Sequence, residues 1–275
     1  MGRRRFLGVD FSGAEDPRKK IWVAEVRAEG DGWRLADLRN GFTRRDLVDH
    51  LLAAGRSGAR GCALLDFPFG LSALTAKNLG VASPEPEDLW RKVAACGAPR
   101  AFRSRGRGGV TGRGSETPHK RHVDRLCHTP FAAVNLRLHR QTFRGMAEVL
   151  LPLKEGGASI APWTFGDFWI GEGCPSSVLR RRFGGRPTGY KRNEREAQPG
   201  KERARRRQLL DGVRGELGIR LTRKGKALIL DDPEGDALDA FVLAAAAAAV
   251  TETEIAASRD HVRRHPTEAW VYRGN

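Results

Sequence analysis

Short apolar runs, each closed by glycine or a polar turn, fill the first quarter of the chain. Phe6-Leu7-Gly8-Val9-Asp10-Phe11 reads as a buried strand that stops at the Ser12-Gly13 turn. Residues 21–26 alternate as a second strand does, Gly30-Asp31-Gly32 supplies a turn, and residues 33–38 make a third strand. Thr43 is a good N-cap for a helix that carries Leu47, Val48, Leu51 and Leu52 and closes at Gly55. Cys62-Ala63-Leu64-Leu65-Asp66 is apolar throughout until its final carboxylate, the pattern of a central strand covered on both faces. Hairpin-linked strands, a helix and then a central strand predict an α/β fold with a mixed sheet.

Helical spacing takes over further along. Residues 88–96 predict a short helix, and residues 135–153 a longer one through Leu136, Leu138, Phe143, Met146, Val149 and Leu150. The glycine-rich, basic stretch 103–114 predicts a flexible loop. Phe168-Trp169-Ile170-Gly171-Glu172 reads as another strand, Pro175-Ser176-Ser177 opens a helix, and residues 201–217 form a basic amphipathic helix. Residues 227–230 are expected to be a final short strand. Asp232-Pro233-Glu234 then has the form of an N-cap with proline at the first helical position, starting a helix that runs to Val250. The whole, residues 1–275, is expected to be one domain with a basic, largely helical and loop insertion at about 78–165.

At 275 residues with 40% hydrophobic positions, the chain can bury a full core. Its longest apolar run, residues 241–250, is about half of the roughly 20 residues that cross a bilayer. The basic start Arg3-Arg4-Arg5 leads into too short and too acidic a segment for a signal peptide. A cytoplasmic protein without membrane association is expected. Cys62, Cys96, Cys127 and Cys174 form no C-x-x-C pair, so reduced, mostly buried thiols are expected. A zinc cluster of Cys127 and His128 with His119 and His122 would need ligand spacings unlike the usual structural patterns.

Charge changes the picture once it is located. The net charge is +16, and two stretches carry +15 of it. Residues 100–125 hold eight Lys and Arg against two acids, and residues 180–207 hold twelve against three. Positive charge so confined predicts a polyanion footprint, with DNA or RNA as partner. The candidate phosphate contacts are Arg103, Arg105, Arg107, Arg113, Arg181, Arg182, Lys191 and Arg192. Aromatic residues are sparse in both stretches, so phosphate contact fits them better than base stacking.

Four carboxylates stand out by position. Asp10 and Asp66 each end an apolar run, and Asp236 and Asp239 lie three apart, on one face near a helix start. Taken singly, each has a structural reason: turn formation at Asp10, a cap at Asp66, the helix dipole at Asp236, an arginine partner for Asp239. Together they predict a functional cluster, because buried like charges are costly unless a cation neutralises them. Oxygen donors of this kind suit Mg²⁺ or Mn²⁺, and such ions can drive phosphodiester cleavage. Glu172, near a strand end, is a further candidate ligand or a residue that satisfies the turn at Gly171-Gly173.

The pattern Gly8-Val9-Asp10-Phe11-Ser12-Gly13-Ala14, then Leu65-Asp66-Phe67-Pro68-Phe69-Gly70, then Asp236-Ala237-Leu238-Asp239-Ala240 resembles the uncharacterised family of predicted RNase H-like nucleases, domain of unknown function family 429. The last element is similar to the terminal helix of RuvC-type resolvases. Gln141-Thr142-Phe143, residues 172–175 and the closing Glu268-Ala269-Trp270-Val271-Tyr272 also match, so the resemblance spans most of the chain. It implies an RNase H-like sheet and a Mg²⁺- or Mn²⁺-dependent nuclease. Asp10 and Asp66 would be ligands, joined by Asp236 or Asp239. RuvC-type relatives act as dimers, which leaves a homodimer open. Two other readings stand beside the nuclease: a non-catalytic nucleic-acid-binding module, and a phosphotransferase of the actin-like or sugar-kinase type, whose first phosphate loop the Asp10-Phe11-Ser12-Gly13 turn loosely resembles.

Overall fold

A computed structural model describes residues 4–83, 85–109, 117–185, 187–192 and 196–274. Its centre is an eight-stranded mixed sheet with helices on both faces. Strands β1 (Arg4–Asp10), β2 (Trp22–Glu29) and β3 (Gly32–Arg39) form an antiparallel meander. Helix α1 (Arg44–Arg56) starts at Thr43, where the hydroxyl accepts from the Asp46 N–H and the Asp46 carboxylate accepts from the Thr43 N–H. Strand β4 (Arg60–Leu65) returns parallel to β1, pairing Val9 with Leu65.

The chain then leaves the sheet through α2 (Ala73–Asn78), α3 (Pro86–Ala94), α4 (Pro99–Arg107), α5 (His122–Leu126), α6 (His139–Gly145) and α7 (Leu151–Glu155). A π-helical turn, Met146–Leu150, joins the last two into one rod. The short β5 (Ser159–Ile160) leads into β6 (Phe168–Gly173), which lies parallel to β4. Then follow α8 (Pro175–Phe183), α9 (Pro199–Glu216), β7 (Ile219–Arg220), α10 (Arg223–Asp231), α11 (Asp236–Ala248), α12 (Glu252–Arg264) and β8 (Val271–Tyr272). The strand order is β5-β6-β4-β1-β2-β3-β7, with β8 pairing with β6.

Period-two alternation divides the core. Leu7, Val9, Ala63 and Leu65 face α1, α3 and the α6–α7 rod, while Cys62, Leu64, Ala24 and Val26 face α11. Gly8 lies directly beneath α11. A Cβ there would come within 2.1 Å of the Ala240 carbonyl oxygen and 2.2 Å of the Ala244 nitrogen. Strand and helix therefore touch backbone to backbone, and the alanines of α11 permit it.

Four expectations are corrected. Residues 227–230 belong to helix α10, capped by the Thr222 hydroxyl, and not to a strand. Asp232 does not cap a helix beginning at Pro233: α11 begins at Asp236 after Gly235 in the left-handed conformation (φ +77°). The Asp232 carboxylate still serves that helix, accepting from the Ala237 N–H at 2.8 Å. Arg103, Arg105 and Arg107 lie in helix α4 instead of a loop; Arg113 falls outside the described residues. The long central helix also starts at His139, four residues later than the expected start at residue 135. Among the described residues no single helix is long and apolar enough to cross a membrane. Cys62, Cys96 and Cys127 are buried and unpaired, and Cys174 is half-buried.

Candidate acidic site

Parallel pairing of β1 with β4 brings their C-terminal ends side by side, and the Asp66 N–H donates to the Val9 carbonyl at 3.0 Å. Asp10 and Asp66 thereby emerge from adjacent strands at one edge of the sheet. The close seating of α11 on Gly8 delivers Asp236 and Asp239 to the same edge. The loop after Asp10 is held by Arg44 of α1, whose guanidinium donates to the carbonyls of Ser12 and Ala14. Gln141 of α6 holds the neighbouring loop by donating its amide to the Asp66 carbonyl.

Lys191 reaches into the middle of this group. Its Nζ lies 2.7 Å from Asp239 and 3.4 Å from Asp236, although the side chain is 43% exposed along its length. The Tyr190 hydroxyl donates to Asp239 at 3.0 Å. Buried Arg206 of α9 anchors this loop by donating to the Tyr190 and Leu230 carbonyls.

The electrostatics follow from burial and crowding. Burial, then the charge on Asp236, pushes the Asp10 carboxyl well above its ordinary range. Burial and Asp239 push Asp66 up to about 8, and burial raises Asp236 as well. Burial alone would make Lys191 easier to deprotonate, but Asp239 and Asp10 more than offset it and hold the ammonium charged. One internal cation thus serves four carboxylates. Hard oxygen donors with this excess of negative charge have the chemistry that suits Mg²⁺ or Mn²⁺. Among the described residues, however, no three acidic, histidine or cysteine side chains stand at the spacing that would share one ion; the Lys191 ammonium stands against Asp239 and Asp236 instead.

Glu172 is drawn elsewhere. Both its oxygens face Arg121, at 2.5 and 2.7 Å, and Oε2 also accepts from the Phe69 N–H at 2.8 Å. Arg121 is 1% exposed and pairs with Asp124 at 2.7 Å as well. Glu172 is therefore a partner of Arg121, with carboxylate geometry already satisfied, and not an open ligand. The imagined zinc cluster is dispersed too: Cys127 turns its thiol toward the Val271 carbonyl, His119 Nδ1 lies 2.9 Å from the Thr75 hydroxyl, and the His122 ring stacks on His265.

The sequence profile of the family described as Protein of unknown function (DUF429) matches residues 8–269. The chain belongs to this family. No curated protein and no solved structure matches it. In this DUF429 chain the cations nearest the acidic edge are only partly those expected. Lys191 is there, but Arg182 pairs with Glu216 and Arg192 with Glu234. Arg103, Arg105 and Arg107 lie on α4, and Arg181 is exposed at the end of α8. Lys20, Arg137 and Arg140 instead line a polar cavity of about 360 Å³ together with Asp10, Asp66 and Asp236. Charge density pointed to the two long arginine-rich segments, whereas the sheet end recruits Lys20 from the short run Arg18-Lys19-Lys20 and the pair Arg137 and Arg140. Tyr190 and Arg206 were equally invisible as site residues; only the Tyr190-Lys191 adjacency carries a trace of them.

Proposed function

We propose that this protein is a divalent-metal-dependent nuclease of RNase H-like fold that hydrolyses nucleic-acid phosphodiesters. The observation that carries the reading is the gathering of Asp10, Asp66, Asp236 and Asp239 around a single ammonium at the end of the sheet. The sheet order supports the fold: an antiparallel β1–β3 meander continues through parallel β4 and β6 on the other side of β1.

Asp10 and Asp66, joined by Asp236 or Asp239, would hold the ion by drawing together as it displaces the Lys191 ammonium. When bound, Mg²⁺ or Mn²⁺ supplies charge stabilisation at the phosphorus and an acidified water. The chain's own residues do the rest. Lys20, Arg137 and Arg140 attract the phosphate backbone to the acidic edge. Gln141 and Arg44 fix the two loops that carry Asp66 and follow Asp10. Tyr190 orients the Asp239 carboxylate by donating to it.

Purified protein with Mg²⁺ or Mn²⁺ is expected to cut DNA or RNA, and Asp10→Asn to abolish cutting while sparing binding. Equal cutting by both proteins would end the reading. A second reading has its own observation: Lys191 already pairs with Asp239 and Asp236 at the acidic edge, as an internal cation would in a non-catalytic nucleic-acid-binding module. Salt-sensitive binding with no metal-dependent cleavage of single-stranded, duplex or branched substrates would decide for it.

A further inference from the structure

A second cavity, of about 490 Å³, opens beside the polar one. The two share Asp66, Gln141, Arg137 and Lys191, so Asp66 stands at the wall between them, with Asp10 and Asp236 on the polar side and Asp239 on the other. Their chemistry differs. The polar cavity contains the basic side chains described above, next to the Ser12–Gly13–Ala14 turn. The larger one has apolar walls from Phe131, Leu138, Pro175, Pro187 and Tyr190, with Asp66 and Asp239 on its acidic side. Thr129, Gln141 and Thr188 contribute hydrogen-bonding groups.

At the rim, the Arg137 guanidinium lies over the Phe131 ring, 5.6 Å from its centroid. This pair offers a planar face of the kind on which heterocycles stack. Arg137 belongs to both cavities, so it can touch a phosphate on one side while its stacked partner faces the other. A volume near 490 Å³ is that of a pocket for one small organic group. A paired base sits inside a stacked duplex whose neighbouring pairs and backbones cannot follow it into a concave pocket, so a base can enter only if it is unpaired.

We infer that the larger cavity is a subsite for one unpaired nucleobase, next to the phosphodiester that lies over the carboxylates. The substrate class is then a single strand, or a duplex interrupted by a bulge, flap or flipped nucleotide. This specifies the substrate of the nuclease proposed above and rests on that reading. Paired flanks of the substrate stay outside, and the base-in-pocket geometry sets which phosphate reaches Asp10 and Asp66. Placing an unpaired base costs less unstacking energy than extracting a paired one, which makes the pocket a selectivity filter.

The test uses the full chain in EDTA at constant ionic strength, so nothing is cut. Three oligonucleotides carry the fluorescent adenine analogue 2-aminopurine: in a single strand, as an unpaired bulge in a duplex, and fully paired. The single strand and the bulge are expected to bind about tenfold more tightly than the paired duplex, with a change in 2-aminopurine emission on binding. Phe131→Ala, which removes the stacking face, and Leu138→Trp, which fills the cavity, should each erase that preference; circular dichroism identifies any variant that does not fold. The comparison of the three oligonucleotides on the unaltered protein stands even if neither variant folds. Equal binding of all three forms with unchanged emission would overturn the inference, as would a free nucleoside monophosphate that binds as tightly as the strand. Because the readout is binding without metal, it is independent of the Asp10→Asn cleavage assay, and the two readings can fail separately.

Discussion

Replacing Arg121 with methionine tests how the fold tolerates three charges in one dry place. The guanidinium spans Asp124 and Glu172 at 2.5–2.7 Å, reaches the Gly70 carbonyl at 3.4 Å, and is 1% exposed. Methionine keeps much of the volume but leaves two buried carboxylates without their cation. Removing one partner of a buried pair costs about 3–5 kcal/mol. With two acids orphaned the upper end applies, about 5 kcal/mol, a large share of the 5–15 kcal/mol that a domain has.

Urea denaturation at neutral pH measures the deficit, with an unchanged m-value as the check that both ends of the transition are the same. Thermal melting should show a loss of about 10 °C or more. The pH dependence has a definite sign. Burial already holds the Glu172 carboxyl above its ordinary range despite the pull of Arg121, and losing the arginine raises it further. A group whose folded-state pKa is raised costs stability only where it would otherwise be ionised. The gap between the two proteins should therefore narrow as pH falls through the carboxylate range and widen toward neutrality. A deficit under about 1 kcal/mol at neutral pH, against the 3–5 kcal/mol of a broken buried pair, would refute the reasoning. So would a gap that grows in acid.

Other perturbations probe the acidic edge itself. Gly8→Ala would drive a methyl into the backbone of α11 at 2.1–2.2 Å; a loss of at least about 3 kcal/mol is expected in denaturant, and a loss under about 0.5 kcal/mol would contradict the close seating. Lys191→Ala should lower the melting temperature in EDTA, because Asp239 loses its ion pair, yet bind Mn²⁺ about tenfold more tightly, or about 1.4 kcal/mol, in calorimetry. Unchanged ion affinity would mean that Lys191 and the metal do not compete.

Much of the fold was legible because its strands and helices obey their periods. Leu7, Val9, Ala63 and Leu65 alternate with partners on the other face, and Thr43 announces its helix by its cap. Residues 227–230 misled because four apolar residues in a row carry no period; their helix shows only from the Thr222 cap five residues upstream. Strands β5, β7 and β8 are two residues long, too short for any alternation. At the site, Asp10, Asp66, Asp236 and Asp239 were readable from where they sit in their elements. The role of Glu172 was not, because it depends on Arg121, 51 residues away. The same holds for Lys191, which meets Asp239 across 48 residues through a loop whose course no local pattern dictates.

Gly8 and the alanines above it have a lasting consequence. Where a helix rests on a strand through main-chain atoms alone, nothing soft lies between them to be compressed or repacked. The span from the first aspartate to the helical pair is then set by bond lengths and van der Waals radii, as in a machined joint. Substitutions elsewhere in the interior can alter how firmly the molecule holds together, but they have little purchase on that span.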